Sequence, residues 1–380
     1  MEHRDSSRRQ FLRRAVVGTT VAASALGGRA VGADVDSAPK DSLRPRKTKI
    51  RIGTRIHRGW LESENDDELR FLKQAGVDYA DITFDMIEGY RESGRFTREA
   101  LKRFVGRLEK VGLQIERANS LGKFYLNAQL NRPGRQEEID HLKHNGELLA
   151  EQKIPIYGIQ ACQAALHYAG GGKNGWSRAT GRGGYGHAHF QQREADTRGA
   201  KYEVTAEQLW RGITDIYRTV LPVLEGSPTR LAMHGNDPPL HRYLGSPQIL
   251  CRFADFDRLF AEVPSPNSGI TFCVGTRYES GEDIFEGIRR FGRAGKLFHV
   301  HFRNVRGTLP RDGEYSEVFI DEGDLHMPAV LRALDEVGYD GVIDYDHPMA
   351  ITGDGRLNKQ YIAYCVGYMR GLLQSLPGSG

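Results

Sequence analysis

The feature that most constrains the fold of this chain is an alternation between short β-rich runs and longer amphipathic helical patterns, which begins at Lys49 and is repeated eight times. Strands separated by helices are typical of parallel sheets, because each parallel connection needs a crossover of a dozen or more residues. The predicted strands are 49–55, 79–84, 113–118, 154–160, 229–235, 269–275, 296–304 and 340–347.

A closed barrel explains this alternation better than an open sheet does. Eight successive βα units are what a (β/α)₈ barrel requires, and such barrels commonly contain about 250 residues or more. No G-x-G-x-x-G motif follows the first strand, which disfavours a dinucleotide-binding sheet. We therefore predict an α/β fold, a single-domain (β/α)₈ TIM barrel over residues 48–377.

The first 33 residues have a different composition from the rest. Twin arginines at Arg8 and Arg9 precede Phe11 and Leu12, a mildly apolar run and small residues near position 33. This pattern resembles a twin-arginine signal peptide, with residues 34–47 as a linker. A basic arm or a membrane anchor is the alternative, although the apolar run is short for a span.

The signal-peptide prediction implies the twin-arginine translocase as a partner and an exported, periplasmic or extracytoplasmic location. The protein would be membrane-tethered if the leader is not cleaved, and we predict no integral membrane span in the mature chain. The formal net charge is +4, and the six arginines and two acidic residues of the leader account for all of it. A nearly neutral remainder argues against a nucleic-acid partner.

Residues 167–198 form a long, glycine-rich segment between the fourth strand and its helix. A segment of this length in a compact domain is usually either functional or disordered. Because loops that follow barrel strands emerge at the C-terminal mouth, we predict an irregular loop that acts as a lid. The four cysteines are widely spaced and contain no C-x-x-C pair, so disulfides are not required by the pattern.

Residues that commonly bind metals recur near the ends of the last four predicted strands. They are His234, Cys273, His301 and Asp346. Side chains at one level of neighbouring barrel strands converge, so these four could bind one cation. Thiolate and imidazole suit Zn²⁺, whereas an open site for an oxygen-rich substrate suits Mn²⁺ or Mg²⁺, and the pattern leaves the metal open.

The same motifs carry a resemblance to a known family. The segments "HGNDPP", "TFCVGT", "VHFRN" and the final "DH" resemble the corresponding motifs of the mannonate dehydratases, over about the last 150 residues. The resemblance implies a xylose-isomerase-like barrel and a divalent metal on the four residues above. That metal is typically Mn²⁺, with Mg²⁺, Fe²⁺, Co²⁺ or Zn²⁺ as alternatives. It also implies a lyase (a hydro-lyase) that converts D-mannonate to 2-keto-3-deoxy-D-gluconate, a step of glucuronate catabolism.

One departure from the family motif concerns the substrate. Mannonate dehydratases usually have Arg-Pro before the last Asp-His, where this chain has Asp344-Tyr345. Carboxylates are bound well by bidentate arginine, so Arg303 or Arg277 would have to replace the lost side chain. Asn304 and Asp237 complete the predicted substrate-binding set.

Dehydration of a sugar acid also needs an acid and a base. His347, next to Asp346, is the leading candidate, provided that the strand has ended there, since neighbours in a regular strand point to opposite faces. Tyr315 is a second candidate proton donor.

Two other functions remain open from the sequence. A metal-dependent sugar isomerase or epimerase on the same barrel is favoured by the lost Arg-Pro and disfavoured by the thiol of Cys273. A sugar-acid binding protein that has lost catalysis is the third possibility. A homo-oligomer is left open.

Overall fold

The structure is a computed structural model that describes residues 48–169 and 173–376. The predicted leader and linker, residues 170–172 and the last predicted barrel residue, 377, lie outside the described residues. Within the described residues, no helix is both long and apolar enough to cross a membrane.

Eight parallel strands in this part of the chain close into a barrel, in the spatial order β1-β8-β7-β6-β5-β4-β3-β2. The strands are β1 (Arg51–Arg55), β2 (Tyr79–Thr83), β3 (Gln114–Asn119), β4 (Ile156–Gln160), β5 (Arg230–His234), β6 (Ser268–Cys273), β7 (Leu297–His301) and β8 (Val342–Asp344). The predicted (β/α)₈ fold is confirmed, and each strand ends within three residues of its predicted end.

A long helix follows each strand and packs outside the barrel. These helices are α1 (Asp67–Ala75), α2 (Arg98–Glu109), α3 (Arg135–Glu151), α4 (Ala206–Leu224), α5 (Phe253–Glu262), α6 (Ile284–Arg293), α7 (Met327–Glu336) and α8 (Lys359–Ser375). Shorter helices lie at Tyr90–Ser93, Leu126–Gln129, Val274–Glu279 and Leu309–Asp312.

Local sequence explains where these elements begin and end. Thr205 starts α4 through a capping box, in which its side chain accepts from the amide of Gln208 while the Gln208 side chain accepts from the amide of Thr205. Gly76 ends α1 with a φ of 97°, a left-handed conformation that glycine adopts without a steric penalty. Every residue of β6 and β7 is buried, as expected for parallel strands covered on both faces.

The segment predicted to be an irregular lid contains a β-hairpin, and that part of the prediction was wrong. Strands Asn174–Thr180 and Gly186–Ala195 pair antiparallel, and the second also pairs with Glu314–Glu317. Val305–Arg306 completes this sheet of four strands among the described residues. We call it the mouth sheet, because its strands follow β4 and β7 in the chain.

Aromatic side chains hold the mouth sheet together. The ring of Phe190 lies 5.2 Å from that of Trp176 and 5.4 Å from that of Tyr315. The contact between Phe190 and Tyr315 joins segments more than 120 residues apart in sequence. A second hairpin, Arg242–Tyr243 with Ser246–Pro247, follows β5.

Candidate metal centre and active site

Three of the four predicted ligands are the last residues of neighbouring strands. His234 ends β5, Cys273 ends β6 and His301 ends β7. Cys273 and His301 are register partners in the sheet. One donor atom of each of the three side chains lies within 4.8 Å of the other two, and all three residues are buried. The structure therefore brings together residues that are up to 67 positions apart in sequence.

Asp346, beyond the end of β8, lies beside two of these three side chains. It has a φ of 61°, in the left-handed region that non-glycine residues seldom occupy. Its Oδ2 atom lies 3.3 Å from Nδ1 of His301 and 4.0 Å from Sγ of Cys273. Sparsely populated backbone conformations are concentrated at functional sites, and here the turn directs the carboxylate towards the strand ends.

The chemistry of these four side chains fits a divalent cation. Nδ1 of His301 and Oδ1 of Asp346 are buried and form no well-aligned hydrogen bond, although Oδ2 of Asp346 lies 3.3 Å from the first and Nη1 of Arg55 lies 3.0 Å from the second. Buried polar atoms without such a bond are costly. Burial lowers the pKa of His234 to about 3, which keeps its imidazole in the neutral form that binds metals. Two imidazoles, a thiol and a carboxylate are all established ligands of divalent metals.

The sulfur of Cys273 is surrounded by donors. It accepts from the amide and the hydroxyl of Thr276 at 3.5 and 3.1 Å, and from Nε of Arg303 at 3.3 Å. Burial raises the pKa of this thiol to about 11 even though Arg303 favours the thiolate. A bound cation would add a further positive charge and favour the thiolate, the form that binds metals.

Beneath this group lies a row of charged side chains inside the barrel. The imidazole of His299 donates to Glu116 at 2.9 Å and to Asp344 at 3.1 Å, and we call these three residues the buried ion triad. Burial opposes the charged imidazole, but Glu116 and Asp344 outweigh it and raise the pKa of His299 to about 9.

Asp81, in the same layer, is close enough to His299, His301 and Asp344 to form a second group of potential ligands. However, Asp81 accepts from Arg117 at 2.8 Å. The positive charges of Arg117, of Arg55, which also donates to Asp81, and of the triad's imidazole balance the three carboxylates of this layer. We therefore interpret this layer as an ion network and not as a second cation site.

His347 lies beside Asp346 at the wall of the cavity. Its Nδ1 atom donates to Glu317 at 2.8 Å, and its Nε2 atom lies 3.3 Å from Oδ2 of Asp346. Its side chain is 35% exposed, so a substrate can reach it. Strand β8 ends at Asp344, so the strand has ended before Asp346 and His347. These two consecutive residues can therefore face the same cavity.

The guanidinium of Arg303 is occupied by protein groups. It donates to Glu279 and to Asp237, both at 2.7 Å, and its side chain is only 4% exposed. Asp237 also accepts from the hydroxyl of Tyr315 at 2.8 Å. Tyr315 is buried and therefore lies behind Asp237, which itself lines the cavity.

The structure does not bring Asn304 or Arg277 to the cavity. The amide of Asn304 donates to backbone carbonyls of residues 320 and 325, and so holds the segment after β7 in place. Arg277 donates to the backbone carbonyl of Cys251 at 2.7 Å. Both side chains are buried in these contacts, so the structure gives no support to a substrate contact by either.

The cavity above the predicted ligands has a volume of about 160 Å³. The predicted site residues did not include five of its lining residues, which lie on β1, on β4, after β4 and on the mouth sheet. They are Arg55, Gln160, Gln163, Trp176 and Glu317. Arg55 and Gln160 are the last residues of β1 and β4, so reading all eight strand ends, and not only the last four, would have found them.

Comparisons with known proteins agree with this geometry. The family model described as D-mannonate dehydratase (UxuA) matches residues 190–378. This match covers just under half of the chain, all of it in the C-terminal part. The chain is 25% identical to mannonate dehydratase 2 of Halalkalibacterium halodurans, over 79% of this chain and 92% of that protein. It is 34% identical to the mannonate dehydratase of Thermotoga maritima, over 40% of this chain and 42% of that protein.

Solved structures place the whole barrel in the same fold group. Mannonate dehydratase from Streptococcus suis serotype 2 is similar with a TM-score of 0.73 and 19% identity, over 86% of this chain and 93% of that one. A D-tagatose 3-epimerase-like protein is similar with a TM-score of 0.56 and 14% identity, over 86% and 97%. At these identities the structures establish the fold alone. The family match and the similarity to mannonate dehydratases support a sugar-acid dehydratase, which is a hydro-lyase.

Proposed function

We propose that this protein removes water from D-mannonate to give 2-keto-3-deoxy-D-gluconate, with Mn²⁺ or another divalent cation bound by His234, Cys273, His301 and Asp346. The observation that carries the proposal is the meeting of His234, Cys273 and His301 at the strand ends, with the carboxylate of Asp346 beside the latter two. The family match covers all four positions.

The reaction has simple requirements. Loss of the C2 proton and of the C3 hydroxyl, which leaves as water, gives an enol that tautomerises to the 2-keto-3-deoxy acid. A bound divalent cation would supply Lewis acidity that stabilises negative charge developing next to the substrate carboxylate. The protein must supply the groups that take up and return protons.

His347 is the best placed proton-transfer group. It is partly exposed to the cavity, and its Nδ1 atom is fixed by Glu317. Fixing one ring nitrogen determines the orientation of the ring and which nitrogen faces the reacting groups. Glu317 belongs to the mouth sheet, so the mouth sheet supplies the residue that positions the acid–base group.

Asp237 is the second group with access to the cavity. It accepts from Tyr315 and from Arg303, so its carboxylate is oriented by two donors. In this arrangement Tyr315 acts on the substrate through Asp237 and not by direct contact. Arg303 also acts indirectly, because it donates to Asp237 and to Cys273 and not to the substrate.

An isomerase or epimerase is the second candidate function. The epimerase-like structural neighbour supports it only as far as the shared barrel. The thiol of Cys273 within the cluster disfavours it, because sugar isomerases of this fold typically bind their metal through carboxylates.

A substrate screen tests the proposal. Metal-loaded protein would be incubated separately with D-mannonate, other aldonates and neutral ketoses, and 2-keto-3-deoxy acids would be detected by periodate–thiobarbiturate colour. The dehydratase predicts this product from D-mannonate. Interconversion of the neutral sugars without it would favour the isomerase, and metal binding without consumption of any substrate would favour a binding protein.

We also propose that the protein is exported through the twin-arginine translocase. The Arg8-Arg9 motif and its apolar run support this proposal. Because that route transports folded proteins, the metal could be bound before export.

A further inference from the structure

The cavity is lined by a positively charged side chain to which the proposed reaction assigns no role. Arg55, at the end of β1, is the one arginine or lysine among the residues that line this cavity in the described part of the chain. Its side chain is 30% exposed, whereas that of its neighbour Arg117 is 1% exposed. Arg55 is therefore the guanidinium that a molecule in the cavity can reach.

The contacts of Arg55 hold it in place without using all its donors. Nε donates to Asp81 at 3.2 Å, Nη1 lies 3.0 Å from Asp346, and Nη2 lies 3.2 Å from Nε2 of His301. A guanidinium has five N–H groups, so these three contacts leave one N–H on each terminal nitrogen. A carboxylate can accept hydrogen bonds from two N–H groups of one guanidinium.

The position where the family usually has an arginine offers no cation in this chain. Asp344 belongs to the buried ion triad, and Tyr345 is buried against Tyr361. The two arginines that the sequence offered as replacements, Arg303 and Arg277, are occupied by protein groups. A carboxylate that enters the cavity has Arg55 as its remaining arginine partner.

We propose that Arg55 binds the carboxylate of the sugar acid and replaces the arginine missing before Asp346. This assignment rests on the proposed function, because it requires an acidic substrate. Arg55 contacts both Asp346 and His301, so a carboxylate bound to it lies next to the metal ligands. Binding at Arg55 would therefore position C2, the carbon adjacent to the carboxylate, at the reacting end of the cavity.

The test compares affinity for D-mannonate in metal-loaded, full-length variants by isothermal titration calorimetry. Arg55→Gln is expected to weaken binding about 10- to 100-fold, the range for a lost charged hydrogen-bond pair. Arg55→Lys retains the charge but not the paired donors, and is expected to weaken binding roughly fivefold. Arg51→Gln is the matched control, because Arg51 begins the same strand and donates to the carbonyl of Asp340 instead.

Metal content, measured on the same samples by mass spectrometry, separates substrate binding from support of the metal site. The proposal is overturned if Arg55→Gln binds D-mannonate within threefold of wild type, or if its loss of affinity is accompanied by loss of the metal. If Arg55→Gln does not fold, Arg55→Lys decides, and unchanged affinity in it overturns the proposal. Arg55-dependent binding without a keto-acid product would support this assignment while refuting the proposed dehydration.

Discussion

The pairing of His347 with Glu317 gives a prediction about the catalytic step. Changing Glu317 to glutamine keeps the size of the side chain but removes its charge. The contact with Nδ1 of His347 is 2.8 Å long, and the Glu317 side chain is only 8% exposed. We expect the variant to fold and to bind metal, because Glu317 does not belong to the group of predicted ligands.

The magnitude follows from the type of hydrogen bond. A bond to a charged group contributes about 1.5–3 kcal/mol and a neutral one about 0.5–1.5 kcal/mol. Because the side chain of His347 is about one-third exposed, solvent screening favours the smaller difference, about 1 kcal/mol. This corresponds to roughly a fivefold decrease in kcat. Glu317→Ala removes the contact entirely and should decrease kcat by roughly 30-fold or more.

The assay is steady-state dehydration of D-mannonate, with kcat and KM determined separately. KM should stay close to the wild-type value, because Glu317 acts through His347 on a proton-transfer step. Glu314→Gln is the control, since Glu314 lies on the same strand and accepts from Gln191 instead. An increase in KM with unchanged kcat, or an equal loss in the control, would refute the assigned role of Glu317.

Three further predictions test other parts of the account. Cys273→Ser should abolish stoichiometric metal binding and activity, whereas Cys162→Ser, at a buried position outside the predicted ligand set, should retain both; metal retained in Cys273→Ser would contradict the ligand assignment. Glu116→Gln breaks the buried ion triad and should cost about 3–5 kcal/mol of unfolding free energy, measured by urea denaturation, and a loss below about 1 kcal/mol would show that the triad is not a compensated ion network. Changing Arg8 and Arg9 together to lysine should retain the protein in the cytoplasm of a bacterial host with a twin-arginine translocase, and undiminished export would refute that route.

The barrel was predictable from sequence because its signals are local. Each βα unit has its own buried run and helical pattern, and some helices have local capping residues, as at Gly76 and Thr205. The predicted ligands could also be identified from the sequence, because the C-terminal ends of the strands meet in any closed barrel. Predicting His234, Cys273 and His301 therefore did not require knowledge of contacts between distant segments.

The remaining features depend on contacts between distant segments. The hairpin within 167–198 is stabilised by pairing with Glu314–Glu317, which lies more than a hundred residues away in sequence. Its glycines interrupt the alternation of apolar and polar residues by which strands are predicted. Arg303 was predicted to bind substrate, but Glu279 and Asp237 occupy its donors, and no local pattern reveals those partners.

The most direct test of the account is an anomalous-diffraction measurement on crystals of the full chain grown with Mn²⁺. The account predicts one strong anomalous peak per chain, bounded by His234, Cys273, His301 and Asp346. Diffraction from well-ordered crystals without a peak among these side chains, or with the metal instead beside Asp81 and the buried ion triad, would contradict it.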